Sequence, residues 1–143
     1  MAEITKNLDT PIMADESVFN AREAFIGAKL RIADIFSLKI MKSGGIRRAI
    51  EVASIARAAG ISVYGGCMFE TGIASTAGAH LMAAIPDLTL GCEFYMPTYY
   101  LQEDILSKPF QVHEGQVIIP TKPGLGVEVN LDVLSKYRVS LFS

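Results

Sequence analysis

The sequence predicts an α/β fold built of consecutive βα units, and two observations carry that prediction. Four short apolar runs recur at roughly even spacing without clean alternation, as parallel strands buried on both faces should, and helical patterns follow them. Three ionisable residues, Asp15, Lys39 and Glu93, fall where strands of that series should end. In a parallel array all strand ends of one kind open on one face, and that face carries the chemistry. Alternation at this period fits a doubly wound sheet or a (β/α)8 barrel.

Residues 1–9 read as the end of a helix that precedes the first strand, Pro11-Ile12-Met13-Ala14. A helix over 18–30 follows, with Ala21, Ala24, Phe25 and Ala28 on one face and Ser17 as its N-cap. The second strand spans 35–40. After Ser43-Gly44-Gly45, Ile46, Ala49, Ile50 and Ala53 mark a helix over 46–59, which Gly60 stops. The third strand, 61–64, ends in Gly65-Gly66. An Ala-rich helix over 72–84 is closed by Pro86, and the fourth strand is 88–91. Beyond Glu93 the texture changes: prolines punctuate a β pattern over 116–119, a Gly-rich turn at 123–126 and a short helix over 132–137. That tail reads as a small β-rich layer. A complete barrel takes about 250 residues, so about four units make either a small closed sheet or half of something larger.

At 143 residues, 50% apolar, with a net charge of −2, the chain is one domain's worth of ordinary globular protein. That balance gives no electrostatic case for nucleic acid or an anionic membrane. The longest apolar run, about 77–85, contains His80 and is too short to cross a bilayer, and residues 1–14 lack the pattern of a secretory signal. Cys67 and Cys92 cannot build a disulfide framework, so they read as small apolar fillers in a reducing cytoplasm.

Several strings are recognisable. Ile12-Met13-Ala14-Asp15-Glu16-Ser17 and Leu38-Lys39-Ile40-Met41-Lys42-Ser43-Gly44-Gly45-Ile46 resemble the enolase superfamily, in its muconate cycloisomerase subgroup. Gly65-Gly66-Cys67-Met68-Phe69-Glu70-Thr71-Gly72-Ile73 is similar to that family's loop after the seventh barrel strand, and Cys92-Glu93-Phe94-Tyr95-Met96-Pro97 to its segment after the eighth. Lys122-Pro123-Gly124-Leu125-Gly126 is similar to its C-terminal return. The resemblance implies the C-terminal half of a modified (β/α)8 TIM barrel, strands five to eight, over residues 1–98. Residues 99–143 would then be a β-rich return segment packing on a capping domain. The capping domain, the first four strands, their Lys-x-Lys pair and two of three acidic metal ligands match nothing here. The expectation is a C-terminal fragment, inactive by itself.

The implied activity is that of an isomerase: reversible lactonisation of cis,cis-muconate to muconolactone through a metal-stabilised enolate, in catechol and β-ketoadipate catabolism. It implies a small dicarboxylate substrate and a homo-oligomer. Asp15 matches the third metal ligand, for Mn²⁺ or Mg²⁺; read from residues alone it is a helix N-terminal acid. Lys39 matches the lysine after the sixth strand, as electrostatic support for the enolate or substrate, whereas on residues alone a lysine can snorkel from a strand end. Glu93 matches the carboxyl group after the eighth strand. It would donate a hydrogen bond if an apolar site formed by Phe94, Tyr95 and Met96 kept it protonated; on residues alone it is a loop acid. Glu16 would orient Lys39, and Glu70 and Thr71 sit in the loop over the substrate. His80 and His113 lack metal-ligand spacing. Two rivals remain open: another superfamily reaction such as dipeptide epimerisation or N-acylamino acid racemisation, with Lys39 as a base, and a non-catalytic half-barrel that assembles with a partner. Gly91-Cys92-Glu93-Phe94 lacks the Asp-x-Asp handle of the epimerases.

Overall fold

A computed structural model of the chain describes residues 1–86, 88–94 and 97–139, apart from the Thr98 side chain. Helix α1 (Ala2–Asn7) leads into strand β1 (Met13–Ala14), helix α2 (Ala21–Leu30) and strand β2 (Ile35–Leu38). A one-turn helix α3 (Ile40–Ser43), helix α4 (Ile46–Ala58), strand β3 (Ser62–Gly65) and helix α5 (Gly72–Ala84) follow. The strands form one parallel sheet in the order β1-β2-β3. Ala14 lies beside Phe36, Phe36 beside Val63, and Leu38 beside Gly65.

That register decides where the core sits. The row Ala14, Phe36 and Val63 faces the helices and joins Val18, Ala24, Ala49, Val52 and Leu81 in one buried cluster. Positions one residue out of phase point to the opposite face. There Met13 and Ser62 are exposed, Tyr64 is half-buried, and Ser37 and Lys39 are buried. Burial on both faces therefore holds for β2 and fails for its neighbours.

The predicted fourth strand is reduced and shifted. Thr89 and Leu90 turn instead of extending, and Gly91 takes φ +77°. Only then does the chain reach β3, through a parallel bridge between Gly65 and Cys92. The amide of Gly65 donates to Gly91 O at 3.1 Å, and that of Glu93 to Gly65 O at 2.8 Å. Gly65 must be glycine, since a Cβ there would stand 2.5 Å from Cys92 Cβ and 2.8 Å from Met82 Sδ. Cys67 is buried as expected, but Cys92 is exposed, so it is not the apolar filler the sequence suggested.

Ser17 does not cap α2. Residues 15–18 form a turn in which Val18 N donates to Asp15 O at 3.0 Å, and the helix starts later. Asn20 is the cap: its side chain accepts from Glu23 N at 3.0 Å, while Glu23 accepts from Phe19 N at 2.7 Å. Gly60, at φ +66°, ends α4 as predicted, and α5 has the predicted bounds.

The tail begins with helix α6 (Pro97–Tyr100), which the sequence did not suggest, and continues to a hairpin of β4 (Val112–His113) and β5 (Gln116–Val117). Its turn residues Glu114 and Gly115 both have positive φ, the geometry of a tight type I′ turn. Helix α7 (Leu131–Lys136) is capped by Asn130, which accepts from the amides of Asp132 and Val133 at 3.1 Å. Among the described residues no helix is long and apolar enough to cross a membrane.

Candidate active site

Asp15 follows β1 directly, Lys39 follows β2, Gly66 follows β3, and Glu93 follows the bridge at Cys92. Parallel pairing puts all four on the same end of the sheet. Ser37 and Lys39 share the face opposite the helix-packed core because strand side chains alternate. The Lys39 stem then runs over Gly66, where a Cβ would lie 2.9 Å from both Lys39 Cγ and Cε, and 2.5 Å from Ser37 Oγ. Buried along its stem, Lys39 ends between two carboxylates: Nζ donates to Asp15 Oδ2 at 2.6 Å and to Glu16 Oε1 at 3.0 Å.

A second lysine completes the cluster. The single turn of α3 folds Lys42 back under the strand ends, where Nζ donates to Asp15 O at 2.7 Å, Asp15 Oδ1 at 3.0 Å and Ser37 O at 2.8 Å. Sequence reasoning missed Lys42. The available signal was its place in Lys39-Ile40-Met41-Lys42, three residues beyond a strand-end lysine and ahead of the Gly44-Gly45 turn.

Opposed effects set the charges. Burial raises the Asp15 carboxyl, but hydrogen bonds from Lys39 and Lys42 outweigh it and hold Asp15 below its usual range. Burial likewise lowers Lys39, yet the bonds to Asp15 and Glu16 prevail and its ammonium is held more firmly than usual. For Lys42 burial wins over Asp15 and lowers it. In this setting the two carboxylates favour the charged form of Lys39.

The structure brings Asp15, Glu16 and Lys39 together and leaves Glu93 outside that cluster. Glu93 is half-buried and tied to β3 through its amide. The apolar wall expected beside it is not supplied by Phe94, which packs against Phe110 at 5.5 Å and beneath Gly78 of α5. Tyr95 and Met96, the other expected wall residues, lie outside the described residues. Glu70 turns back on its own loop and accepts from Met68 N at 2.8 Å; burial raises it, against Met68 and the more distant Lys39. Thr71 stands at the N-terminal end of α5 without a side-chain capping bond. The cap comes from the tail instead, with Asp104 Oδ1 accepting from Gly72 N at 3.1 Å. Tyr100 of α6 donates its hydroxyl to Glu70 O and meets Phe69 edge-on. His80 holds α5 to the tail through Leu125 O at 3.1 Å, while His113 is exposed.

The residues of this chain do not by themselves fit a divalent-cation centre. Among the described residues no three His, Cys, Asp or Glu side chains gather to hold a metal ion. Asp15, the expected ligand, spends one contact of each oxygen on an ammonium. Hard cations need six or more oxygens, and one carboxylate is a single contribution to such a set.

Gly66 gives the geometry a simple test. Gly66→Ala should destabilise the protein by about 1–3 kcal/mol, the usual cost of overpacking, because the new methyl strikes the Lys39 stem and Ser37 together. Urea unfolding decides it, and a loss below about 0.5 kcal/mol would mean the Lys39 stem moves aside freely.

Comparison with known proteins fits this arrangement. Residues 1–133 match the family model described as Enolase C-terminal domain-like. Muconate cycloisomerase 1 of Acinetobacter baylyi is 41% identical over 138 residues, which cover 96% of this chain and 37% of that protein. The solved muconate lactonizing enzyme from Pseudomonas putida superposes with a TM-score of 0.90 at 39% identity, over 95% of this chain and 38% of the other. The muconate lactonizing enzyme from Pseudomonas fluorescens, solved complexed with muconolactone, superposes with a TM-score of 0.91 at 36% identity, over 96% of this chain and 37% of the other. The chain thus spans little more than a third of the length of these relatives.

Proposed function

Because the chain belongs to the enolase C-terminal domain-like family, we propose that it forms the C-terminal barrel half of a muconate cycloisomerase. The reaction is the reversible lactonisation of cis,cis-muconate to muconolactone. The observation that carries this reading is the Asp15–Lys39–Glu16 cluster at the strand ends, in a chain that superposes closely on muconate lactonizing enzymes. Residues 1–98 make the barrel half, and residues 99–143 return toward a capping domain.

Each role follows from the chemistry of its position. A dicarboxylate that closes through an enolate concentrates negative charge, and the Lys39 ammonium, retained by its two carboxylate partners, is the group that meets it. Glu16 is within hydrogen-bond reach of Lys39 and orients it. Glu93 contacts the substrate carboxylate or enolate from the next strand end, and Glu70 and Thr71 shape the loop above. Asp15 would supply one oxygen to a divalent ion, Mn²⁺ or Mg²⁺, whose remaining ligands, like the proton-transferring lysine, would come from outside this sequence. Cys67 and Cys92 form no disulfide, which suits a reducing cytoplasm. The expected homo-oligomer belongs to the same reading.

The test is an assay panel. The chain by itself should not turn over cis,cis-muconate, and turnover should appear when it is joined to the N-terminal portion of the Acinetobacter baylyi relative and supplied with Mn²⁺. Turnover of dipeptides or N-acylamino acids in place of muconate would overturn the reading, as would muconate turnover by the unassisted chain.

A further inference from the structure

Asp15 is gripped by two lysines, and the grips differ in kind. An ammonium has three donors. Lys42 spends all three on Asp15 O, Asp15 Oδ1 and Ser37 O, at 2.7, 3.0 and 2.8 Å. Two of these acceptors are main-chain carbonyls at the ends of β1 and β2, which no side-chain rotation can withdraw. The Lys42 side chain is 3% exposed, so water does not replace them. Among the described residues Lys39 Nζ donates to two groups, both side-chain carboxylates, and one of these, Glu16, has a side chain 58% exposed and able to swing into solvent. Among the described residues its third donor meets no acceptor.

We infer that Lys42 is a positioning residue, the fixed strut that aims Asp15, and that Lys39 is the exchangeable cation of the pair. The asymmetry has a chemical use. When Lys39 turns toward an anionic ligand such as a substrate carboxylate, Asp15 keeps a charge-assisted partner and its orientation. Without Lys42 the same movement would remove the last side chain that ties Asp15 to the main chain of the strand ends and fixes its direction. Groups that hold a first contact residue in place commonly influence affinity or activity by about 10–100-fold when removed. The consequence for turnover rests on the muconate reading above; the difference between the two lysines does not.

The experiment has two arms. The first uses the unmutated full chain, labelled with ¹⁵N-lysine, and compares how fast the ammonium protons of the two lysines exchange with water. Lys42 should exchange about tenfold or more slower than Lys39, as three satisfied hydrogen bonds require. Equal rates, or a slower Lys39, would overturn the inference. The second arm uses Lys42→Met in the assembled, Mn²⁺-supplied enzyme, at a temperature where circular dichroism shows it folded. There kcat should fall about 10–100-fold with little change in KM, whereas a merely structural lysine would lower the melting temperature and leave kcat per folded molecule unchanged. An unchanged kcat overturns the positioning role. If the unmutated assembly does not act on muconate at all, the muconate reading falls and the exchange rates still decide between the lysines. They also decide if Lys42→Met does not fold.

Discussion

Asp15→Ala is expected to destabilise the folded protein by about 2–3 kcal/mol near neutral pH, chiefly because of what it leaves behind. The side chains of Lys42 and Lys39 are 3% and 7% exposed, and both ammonium groups point at this carboxylate. Removing one member of a buried ion pair costs about 3–5 kcal/mol. Asp15 itself is 35% exposed, so solvent screening places the loss at or below the lower end of that range. Lys42 keeps two carbonyl acceptors and Lys39 keeps Glu16, which prevents complete collapse of the cluster.

The pH dependence distinguishes this account from simple loss of packing. Asp15 is held below its ordinary value of 3.8, so the unfolded chain takes up its proton first. The stabilisation is complete above that ordinary value and is lost as pH falls through the lower folded value. The gap between the unmutated protein and Asp15→Ala should therefore be full near neutrality and shrink under acid conditions. Lys42, already lowered by burial, should fall further in the variant, so the variant should gain stability as pH rises toward the ordinary lysine value of 10.5. Urea unfolding across the pH range measures both slopes. A gap that does not change between neutral and acid pH would show that the charge is not what holds the cluster.

How much of this was legible beforehand depended on how local each signal was. The helix over 72–84 and the stop at Gly60 came out as read, because residue size, proline and a positive-φ glycine act within a few positions. Asp15 and Lys39 were placed at strand ends by spacing, and the sheet register does put them side by side. The misses were tertiary. Ser17 and Asn20 are both acceptable caps by residue type, and the 15–18 turn chose between them. Leu88-Thr89-Leu90 reads as a strand until Gly91 turns the chain, so that contact with β3 is made by Cys92. Phe94 looked like a neighbour of Glu93, but alternation sends it toward α5 and Phe110. Lys42 was hidden because its role depends on one turn of helix reversing the chain under β1, and no spacing rule records that reversal. Asp104 caps α5 from a distance of 32 residues along the chain, which no local capping motif could indicate.

Lys39→Met separates the chemistry of the site from its stability. Methionine keeps an unbranched apolar stem to lie over Gly66 and removes only the ammonium. Asp15 retains Lys42, and Glu16 is exposed enough to find water. Removing one member of a buried ion pair can cost about 3–5 kcal/mol, but Lys42 stays on Asp15 and Glu16 is exposed to water, so the loss should be only about 1–2 kcal/mol. Turnover of muconate by the assembled enzyme should nevertheless fall about 10²–10³-fold, the usual effect of deleting a donor aimed at developing negative charge. Lys39→Arg then tests what kind of group the site needs. If Lys39 acts through its charge, arginine should recover part of the lost rate, since it always carries that charge. If Lys39 worked as a base, arginine would recover none, because a guanidinium does not give up its proton in proteins. Burial opposes the Lys39 ammonium, but its two carboxylate partners outweigh that and hold the proton more firmly than in a free lysine. Partial rescue by arginine is therefore the expected result, and equal inactivity of both variants would move Lys39 into the proton-transfer role.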